Sequence, residues 1–192
     1  MRFRNFVSLL ILLTGFAFAS LPAAAQGSDV IQMNVDGAEP VLGVEEENAA
    51  MNAAMAEARR TLPVFWSLFD TYPEKADAFS IKAGFETTTG TLEHIWLADL
   101  SHEGDRITGT LNNEPLYLPE GVKRGDVVTV YTRDVSDWTI TGNGRKDYGG
   151  FTVRVFADLL GGEEGAALRA SLKDQTLPPF ADPAVVDALP EK

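Results

Sequence analysis

The sequence predicts an α+β protein in which a kinked N-terminal helix packs on a curved antiparallel sheet of about six strands. Two observations predict this class. One long stretch with apolar residues at helical spacing precedes several short segments in which apolar and polar residues alternate. The gaps between these segments are short and hold no crossover helix, so neighbouring strands should run antiparallel. A small, partly open barrel resembling an SH3 or OB fold is the rival architecture.

The predicted helix begins at Glu45, Glu46 and Glu47, which would place three acidic side chains beside the positive end of the helix dipole. The apolar residues that follow fall on one stripe: Met51, Ala54, Met55, Ala58, Leu62, Phe65, Trp66 and Phe69. Pro63 cannot stand in a regular helix interior, so we expect a kink or a restart there, with Thr61 as a candidate cap. We interpret the stripe as core rather than as a cofactor site.

Six segments with strand-like patterns follow the helix. They are Phe79–Phe85, Leu92–Leu100, Arg106–Leu111, Val127–Arg133, Trp138–Thr141 and Phe151–Phe156. The first alternates apolar and polar residues, which is typical of a half-buried strand. The second is mostly apolar on both faces, with Glu93 and His94 among its few polar residues, which indicates a central strand of the sheet.

Residues 1–25 have the pattern of a secretory signal peptide. A basic start precedes the apolar run from Phe6 to Leu21, and Ala23 and Ala25 supply the small side chains that the peptidase requires. The run is shorter than the roughly 20 apolar residues that cross a bilayer core. We therefore predict cleavage after Ala25, a periplasmic or secreted location, and no membrane span in the mature chain.

The remaining chain divides into three parts. Residues 26–44 are interpreted as a linker with a short edge strand at Val30 to Val35, and residues 45–158 as one α+β domain. Residues 159–192 form a C-terminal extension with a short helix at Ala166 to Leu172. The prolines beyond it are expected to prevent regular structure and to leave an extended, surface-bound or mobile tail: Pro178, Pro179, Pro183 and Pro190.

Composition excludes several classes of function. Asp and Glu number 28 against 16 Lys and Arg, giving a formal charge of −12, so a nucleic acid is not an expected partner. The chain has no cysteine, which excludes disulfides, thiolate metal sites and a cysteine nucleophile. Its two histidines do not define a metal site. Common nucleophile and phosphate-loop motifs are absent, and we predict no cofactor.

Candidate enzyme chemistry depends on His94, because an ordinary histidine pKa of about 6.5 suits a general base at neutral pH. Its candidate partners are Glu93, Asp137 and Arg154. The enzyme hypothesis requires His94, Asp137 and Arg154 to converge within hydrogen-bond reach beside a pocket. The alternative is a structural role for His94, and His102 is interpreted as an exposed turn residue.

The glycine-rich stretch Gly142–Gly150 is a candidate ligand-binding loop. Its glycines permit positive φ, and successive amides can form a nest for an anion. Arg145 and Lys146 add positive charge there. The alternative is a hairpin loop whose glycines serve geometry. Four further ligand-binding candidates also have interpretations as core or turn residues: Trp96, Asn112, Asn113 and Trp138.

An ordered series of short motifs after the Ala-rich helix resembles one bacterial family. The motifs are Phe79-Ser80-Ile81-Lys82, Glu93-His94-Ile95-Trp96, Gly109-Thr110-Leu111-Asn112-Asn113, Gly125-Asp126, Asp137-Trp138 and Gly149-Gly150-Phe151-Thr152-Val153-Arg154. From about Glu46 to Asp158 the chain is similar to the bacterial domain of unknown function 2314, the YegJ-like proteins. The resemblance implies no established activity and transfers no catalytic residues.

These observations lead to two functional hypotheses. The first is a non-catalytic exported module that binds a protein or a small ligand through the sheet edge and the Gly142–Gly150 loop. The second is a small periplasmic enzyme that uses His94 with Glu93 or Asp137 in a shallow cleft.

Overall fold

A computed structural model describes residues 48–191 and, before them, three strands of the backbone. The strands are β1 (Phe6–Leu9), β2 (Val30–Met33) and β3 (Val41–Glu45), followed by α1 (Ala49–Thr71) and a 3-10 helix at Pro73–Ala78. Next come β4 (Phe79–Glu86), β5 (Leu92–Glu103), β6 (Arg106–Leu111), β7 (Val127–Tyr131), a 3-10 helix at Thr132–Asp134, β8 (Val135–Thr141) and β9 (Asp147–Gly149). The chain ends with α2 (Phe151–Leu160), α3 (Gly162–Ala170) and α4 (Pro183–Asp187).

The sheet is open, and its six strands from β4 to β9 are antiparallel in the order β7-β6-β5-β4-β8-β9. The N-terminal strands extend it at the start of β5, where β1 pairs in parallel with Leu92–His94. With α1 packed on this sheet, the predicted α+β class is confirmed. In the described part of the chain the barrel alternative is not adopted.

The predicted signal peptide and linker lie mostly outside the described residues, so cleavage after Ala25 stays a prediction. Within that region β1 falls inside the predicted signal peptide, and β2 covers the start of the expected edge strand at Val30. No described helix is both long and apolar enough to span a membrane.

The apolar stripe of α1 forms the core, as predicted. Leu62 and Phe65 are buried in one cluster with Phe79 and Ile81 of the sheet, and the rings of Phe65 and Phe79 lie 5.4 Å apart. Met51, nearer the start of the helix, packs in a second cluster with the helices that follow the sheet. The stripe therefore joins two layers, the sheet and α2 with α3.

The predicted acidic first turn of α1 is wrong. The helix begins at Ala49, and Asn48 caps it by accepting a hydrogen bond from the Met51 N–H at 2.9 Å. Glu45 ends β3, while Glu46 and Glu47 lie outside the described residues. A neutral side-chain oxygen, and not the predicted carboxylates, satisfies an N-terminal amide of this helix.

Of the two alternatives expected at Pro63, a kink or a restart, the restart is wrong, because α1 continues through this residue. Thr61 is not a cap: its hydroxyl donates to the Glu57 carbonyl at 2.8 Å and accepts from the Trp138 indole N–H at 3.1 Å. Proline costs the helix one backbone hydrogen bond, because it has no N–H donor. The residues on both sides of Pro63 are buried, and their packing on the core keeps both halves of the helix in place despite this loss.

The segment Phe151–Phe156 is helical, not the predicted sixth strand. The buried residues of α2 follow helical spacing: Phe151, Thr152, Phe156, Ala157 and Leu160. The sixth strand is instead β9, which lies inside the glycine-rich stretch and pairs with the end of β8.

The C-terminal extension packs on the domain. After α3, the backbone runs beside β9. The backbone N–H of Lys173 donates to the Asp147 carbonyl at 2.9 Å, and the backbone N–H of Gly149 donates to the Thr176 carbonyl at 2.7 Å. The expectation that prolines prevent further helix is wrong, because Pro183 starts α4 and Asp182 caps it. The chain's own tail therefore occupies this edge of the sheet.

His102 is also placed differently from the prediction. β5 extends to Glu103, so His102 lies in a strand rather than in a turn. Its ring stacks on Trp66 at 4.2 Å and hydrogen-bonds Asp70 at 2.9 Å. These contacts tie the β5–β6 hairpin to the last turns of α1.

Candidate functional site

Three neighbouring strands place Trp96, Lys82 and Asp137 in one row across the sheet. Lys82 of β4 is in register with Trp96 of β5 and with Asp137 of β8. Because side chains alternate along a strand, this row lies on the face opposite Ile81 and Ala83, which pack in the core with α1. We call this side of the sheet, which is opposite to α1, the far face. The row of Trp96, Lys82 and Asp137 forms its polar centre.

Lys82 is fully buried, although its sequence pattern indicated only a half-buried strand. Its ammonium donates to Thr152 Oγ1 at 2.8 Å, lies 3.9 Å from Asp137 Oδ2, and stands 4.7 Å from the centroid of the Trp96 ring. Burial lowers the pKa of Lys82 to about 8, and the nearby Asp137 charge opposes that change. Sequence reasoning missed this residue because no local pattern distinguishes it from a solvent-facing lysine.

Asp137 serves the fold by capping α2. Its carboxylate accepts from the backbone N–H groups of Phe151 and Thr152, each at 2.9 Å, and from the Thr152 hydroxyl. Gly149 allows the chain to reach this position, since a Cβ on it would lie 2.2 Å from the Trp138 carbonyl oxygen. The carboxylate is therefore committed to the junction between β9 and α2.

His94 lies on the same face and opposite Gly84, whose missing side chain leaves room for the imidazole ring. The residue is 4% exposed, and neither ring nitrogen has a hydrogen-bond partner in the described part of the chain. Burial lowers the pKa of His94 to about 3, assisted by the charges of Lys82 and Arg59. The imidazole is consequently neutral at physiological pH.

The convergence that the enzyme hypothesis requires does not form. Glu93 accepts from the backbone N–H groups of Leu116 and Tyr117 at 2.8 and 2.9 Å, and burial raises its pKa against these bonds. Arg154 donates to the carbonyls of Gly149 and Lys173. Glu93, Asp137 and Arg154 thus bond to separate parts of the backbone, and none of them hydrogen-bonds His94.

The predicted ligand-binding residues are also dispersed. Trp138 is fully buried and its indole N–H donates to the Ala58 carbonyl at 3.1 Å, so it packs in the core and offers no face to a ligand. Asn113 is buried and its Oδ1 accepts from the Trp96 N–H at 2.9 Å. Asn112 is exposed in the loop after β6, and Trp96 is half-buried over Lys82.

A second site lies where the Gly142–Gly150 stretch meets the C-terminal extension. We call it the loop cleft, an open cavity of about 440 Å³. It is lined by Tyr72, Lys75, Ala78, Phe79, Ile140, Thr141, Gly142, Asn143, Tyr148, Lys173 and Phe180. One wall therefore comes from the candidate loop, and the others from the segment before β4 and the chain after α3.

The sheet and the two flanking segments shape the loop cleft. Phe79 and Ile140 are paired across β4 and β8 and are almost fully buried, so they form its floor. Tyr148 and Phe180 meet edge to face with ring centroids 5.8 Å apart. Phe180 remains 53% exposed, so part of its ring surface is open to solvent beside the cleft.

The hairpin between β8 and β9 binds a cation of the C-terminal extension, Lys173, in the loop cleft. Gly142 has no side chain to block it: a Cβ there would lie 2.9 Å from Tyr148 and 3.2 Å from the Lys173 Cε. Lys173 Nζ donates to the Asn143 carbonyl at 2.6 Å. Arg145 and Lys146, the cations predicted from the sequence, are exposed at the hairpin tip and do not line the cleft.

The described residues define a small α+β domain with a buried polar face and an aromatic cleft at one sheet edge. Within them, no group of three or more His, Asp or Glu side chains is placed to hold a metal ion. The sequence profile of a bacterial family, "Uncharacterized protein conserved in bacteria (DUF2314)", matches residues 48–172. The chain belongs to this family, and the match runs past Asp158 into the segment that sequence reasoning placed outside the resemblance.

Two relatives show how far this similarity extends. The "Uncharacterized protein YegJ" of Escherichia coli K12 is 32% identical over 126 residues, which cover 66% of this chain and 79% of that protein. A Neisseria meningitidis serogroup B protein named "Putative ankyrin repeat protein" is 34% identical over 130 residues. That match covers 63% of this chain and 50% of the relative. No solved structure matches the chain.

Proposed function

We propose that this protein is an exported, non-catalytic module that binds a small molecule or a peptide segment in the loop cleft. The observation that carries the proposal is the cleft itself, a concave and partly aromatic surface formed around the Gly142–Gly150 stretch. Its volume of about 440 Å³ lies within the range of small-molecule sites. Exposed Phe180 and half-buried Tyr148 supply apolar surface that a ligand would cover.

The contacts of the buried ionisable residues support a binding role over catalysis. The carboxylates of Glu93 and Asp137 are held by backbone donors, and His94 has no acidic partner among the residues that the structure describes. A general base needs hydrogen-bond access to the proton that it removes. The loop cleft contains none of the histidine or carboxylate candidates, so recognition is the role that its lining suits.

The proposal is tested with 1-anilinonaphthalene-8-sulfonate, an aromatic probe whose fluorescence rises in apolar sites. We expect saturable binding to the folded protein with one site per chain, and a loss of binding in Phe180→Ala. Val127→Ala is the matched control, because Val127 is 70% exposed on β7, away from the cleft. Equal binding by both variants, or no saturable binding of either this probe or its uncharged analogue N-phenyl-1-naphthylamine, would overturn the proposed function.

Export is the second part of the proposal, supported by the signal-peptide pattern of residues 1–25. Expression of the full chain in a Gram-negative host should yield a periplasmic product whose N-terminal residue is Gln26. The intact mass of the periplasmic protein measures this directly. Recovery of uncleaved chain in the cytoplasmic fraction would contradict export.

A further inference from the structure

We propose that the ligand of the loop cleft is an organic anion, namely an aromatic or apolar body that carries a carboxylate or an equivalent acidic group. This inference rests on the proposed function, since it specifies the ligand of the same site. It is carried by the charge of the lining, the contacts of two lysines, and the rings beside them.

The charge of the loop cleft is opposite to that of the chain. Asp and Glu outnumber Lys and Arg by 28 to 16 in the whole sequence. Among the described residues, the lining nevertheless contains Lys75 and Lys173 and no acidic side chain. In a protein whose overall field repels anions, such a local excess of positive charge favours binding of an anion at this place.

Both lysines keep donors for a ligand. Lys173 uses one donor on the Asn143 carbonyl, and its Nζ stands 5.7 Å from the centroid of the Tyr148 ring. Lys75 Nζ stands 5.1 Å from the centroid of the Tyr72 ring. Neither ammonium forms a salt bridge within the described residues. Because each ammonium has three donors, further hydrogen bonds to an acidic group can form.

The aromatic rings of the loop cleft favour a ligand with an aromatic or apolar body. Tyr72, Tyr148 and Phe180 line the same cavity as the two lysines. A neutral aromatic ligand would displace water from the ammonium groups without replacing its hydrogen bonds. An inorganic anion would leave the apolar surface of Phe180 uncovered. A molecule with both features satisfies the cations and covers the rings.

The test compares two probes that share their ring system. One is 1-anilinonaphthalene-8-sulfonate, and the other is N-phenyl-1-naphthylamine, which lacks the sulfonate. We expect the Kd of the anionic probe to be at least about 10-fold lower, equivalent to roughly 1.4 kcal/mol. Lys75→Met and Lys173→Met should each weaken the anionic probe several-fold and leave the neutral probe unchanged, with Lys123→Met as a lysine control outside the cleft.

The outcomes separate this inference from the proposed function. Equal affinity for the two probes, or lysine variants that bind the anionic probe like wild type, would overturn the organic anion and leave the binding role intact. Failure of both probes to bind would overturn the proposed function itself. Melting curves of each lysine variant distinguish a lost contact from a lost fold, and Lys75 is exposed, so its substitution should not disturb the core.

Discussion

The buried ionisable residues of the far face differ in how the fold satisfies them. Asp137 accepts four hydrogen bonds, three of them from Phe151 and Thr152. Lys82 has one acceptor and a nearby opposite charge. Within residues 48–191, His94 has no hydrogen-bond partner at either ring nitrogen. Because burial makes unsatisfied groups expensive, these residues should respond differently to pH and to substitution.

Lys82→Met should change the alkaline pH dependence of stability. The folded pKa of Lys82 is about 8 and its ordinary value is 10.5, so between these values the unfolded chain binds the extra proton. The free energy of unfolding of wild type should therefore rise with pH relative to Lys82→Met, by up to about 3 kcal/mol across the window. Urea unfolding of both proteins at several pH values measures the difference. A difference that is constant with pH would contradict burial of this ammonium.

His94→Gln should change how the free energy of unfolding depends on pH in the acidic range. The folded pKa of His94 is about 3 against 6.5 ordinarily, so the unfolded state binds more protons between these values. Wild type should lose stability relative to His94→Gln as pH falls through this window, by roughly 1.4 kcal/mol per pH unit. Urea unfolding measures this loss, and imidazole chemical shifts report the charge directly. An imidazole that titrates near 6.5 in the folded protein would refute its burial.

At the scale of the elements, α2 shows how a helix can depend on a residue far from it in sequence. Its N-terminal amides are satisfied by Asp137 of β8, although its first residue is Phe151. Gly150 precedes that residue with φ of 61° and offers no side-chain cap. The cap therefore exists only after the sheet has positioned β8 beside the start of the helix.

Asp137→Ala should destabilise the protein strongly, because it leaves buried backbone donors unsatisfied and Lys82 without its neighbouring charge. Removing one partner of a buried pair typically costs about 3–5 kcal/mol. Asp182→Ala is the matched control, since Asp182 caps the exposed α4 and should cost about 1 kcal/mol. Chemical unfolding of the two variants gives both values. If both variants lost the same free energy of unfolding, the buried Asp137 cap would contribute no more to stability than the exposed Asp182 cap.

The same elements show which features local sequence patterns can predict. The stripe of α1 and the alternation of β4 reflect burial of one face of each element. Such burial produces a periodic pattern of apolar residues that a short segment of sequence already shows. The strand predicted at Phe151–Phe156 was wrong because six residues are too few to reveal the helical spacing of the residues that α2 buries, which extends from Phe151 to Leu160. The deciding contact, the Asp137 cap, links residues that only the folded sheet brings together.

At the scale of the whole molecule, the loop cleft combines distant segments of the chain. One wall, the Gly142–Gly150 stretch, is predictable from the sequence because its glycines are clustered locally. The other lining residues come from the segment before β4 and the chain after α3, and no local pattern marks them: Tyr72, Lys75, Lys173 and Phe180. The positive charge predicted at Arg145 and Lys146 lies instead at the exposed tip of the hairpin. The composition of such a site depends on chain topology rather than on any motif.

Charge is the property of the whole molecule that the sequence states most directly. The full chain carries −12, and cleavage after Ala25 would remove Arg2 and Arg4 and leave −14. Repulsion among these charges opposes the compact state, and salt screens exposed charges over roughly 10 Å at 0.1 M. The melting temperature should therefore rise by a few degrees as sodium chloride increases at neutral pH. Calorimetry across a salt series measures this, and sodium sulfate at matched ionic strength separates screening from ion-specific effects. A flat or falling curve would mean that local pairing of the acidic residues already compensates the excess.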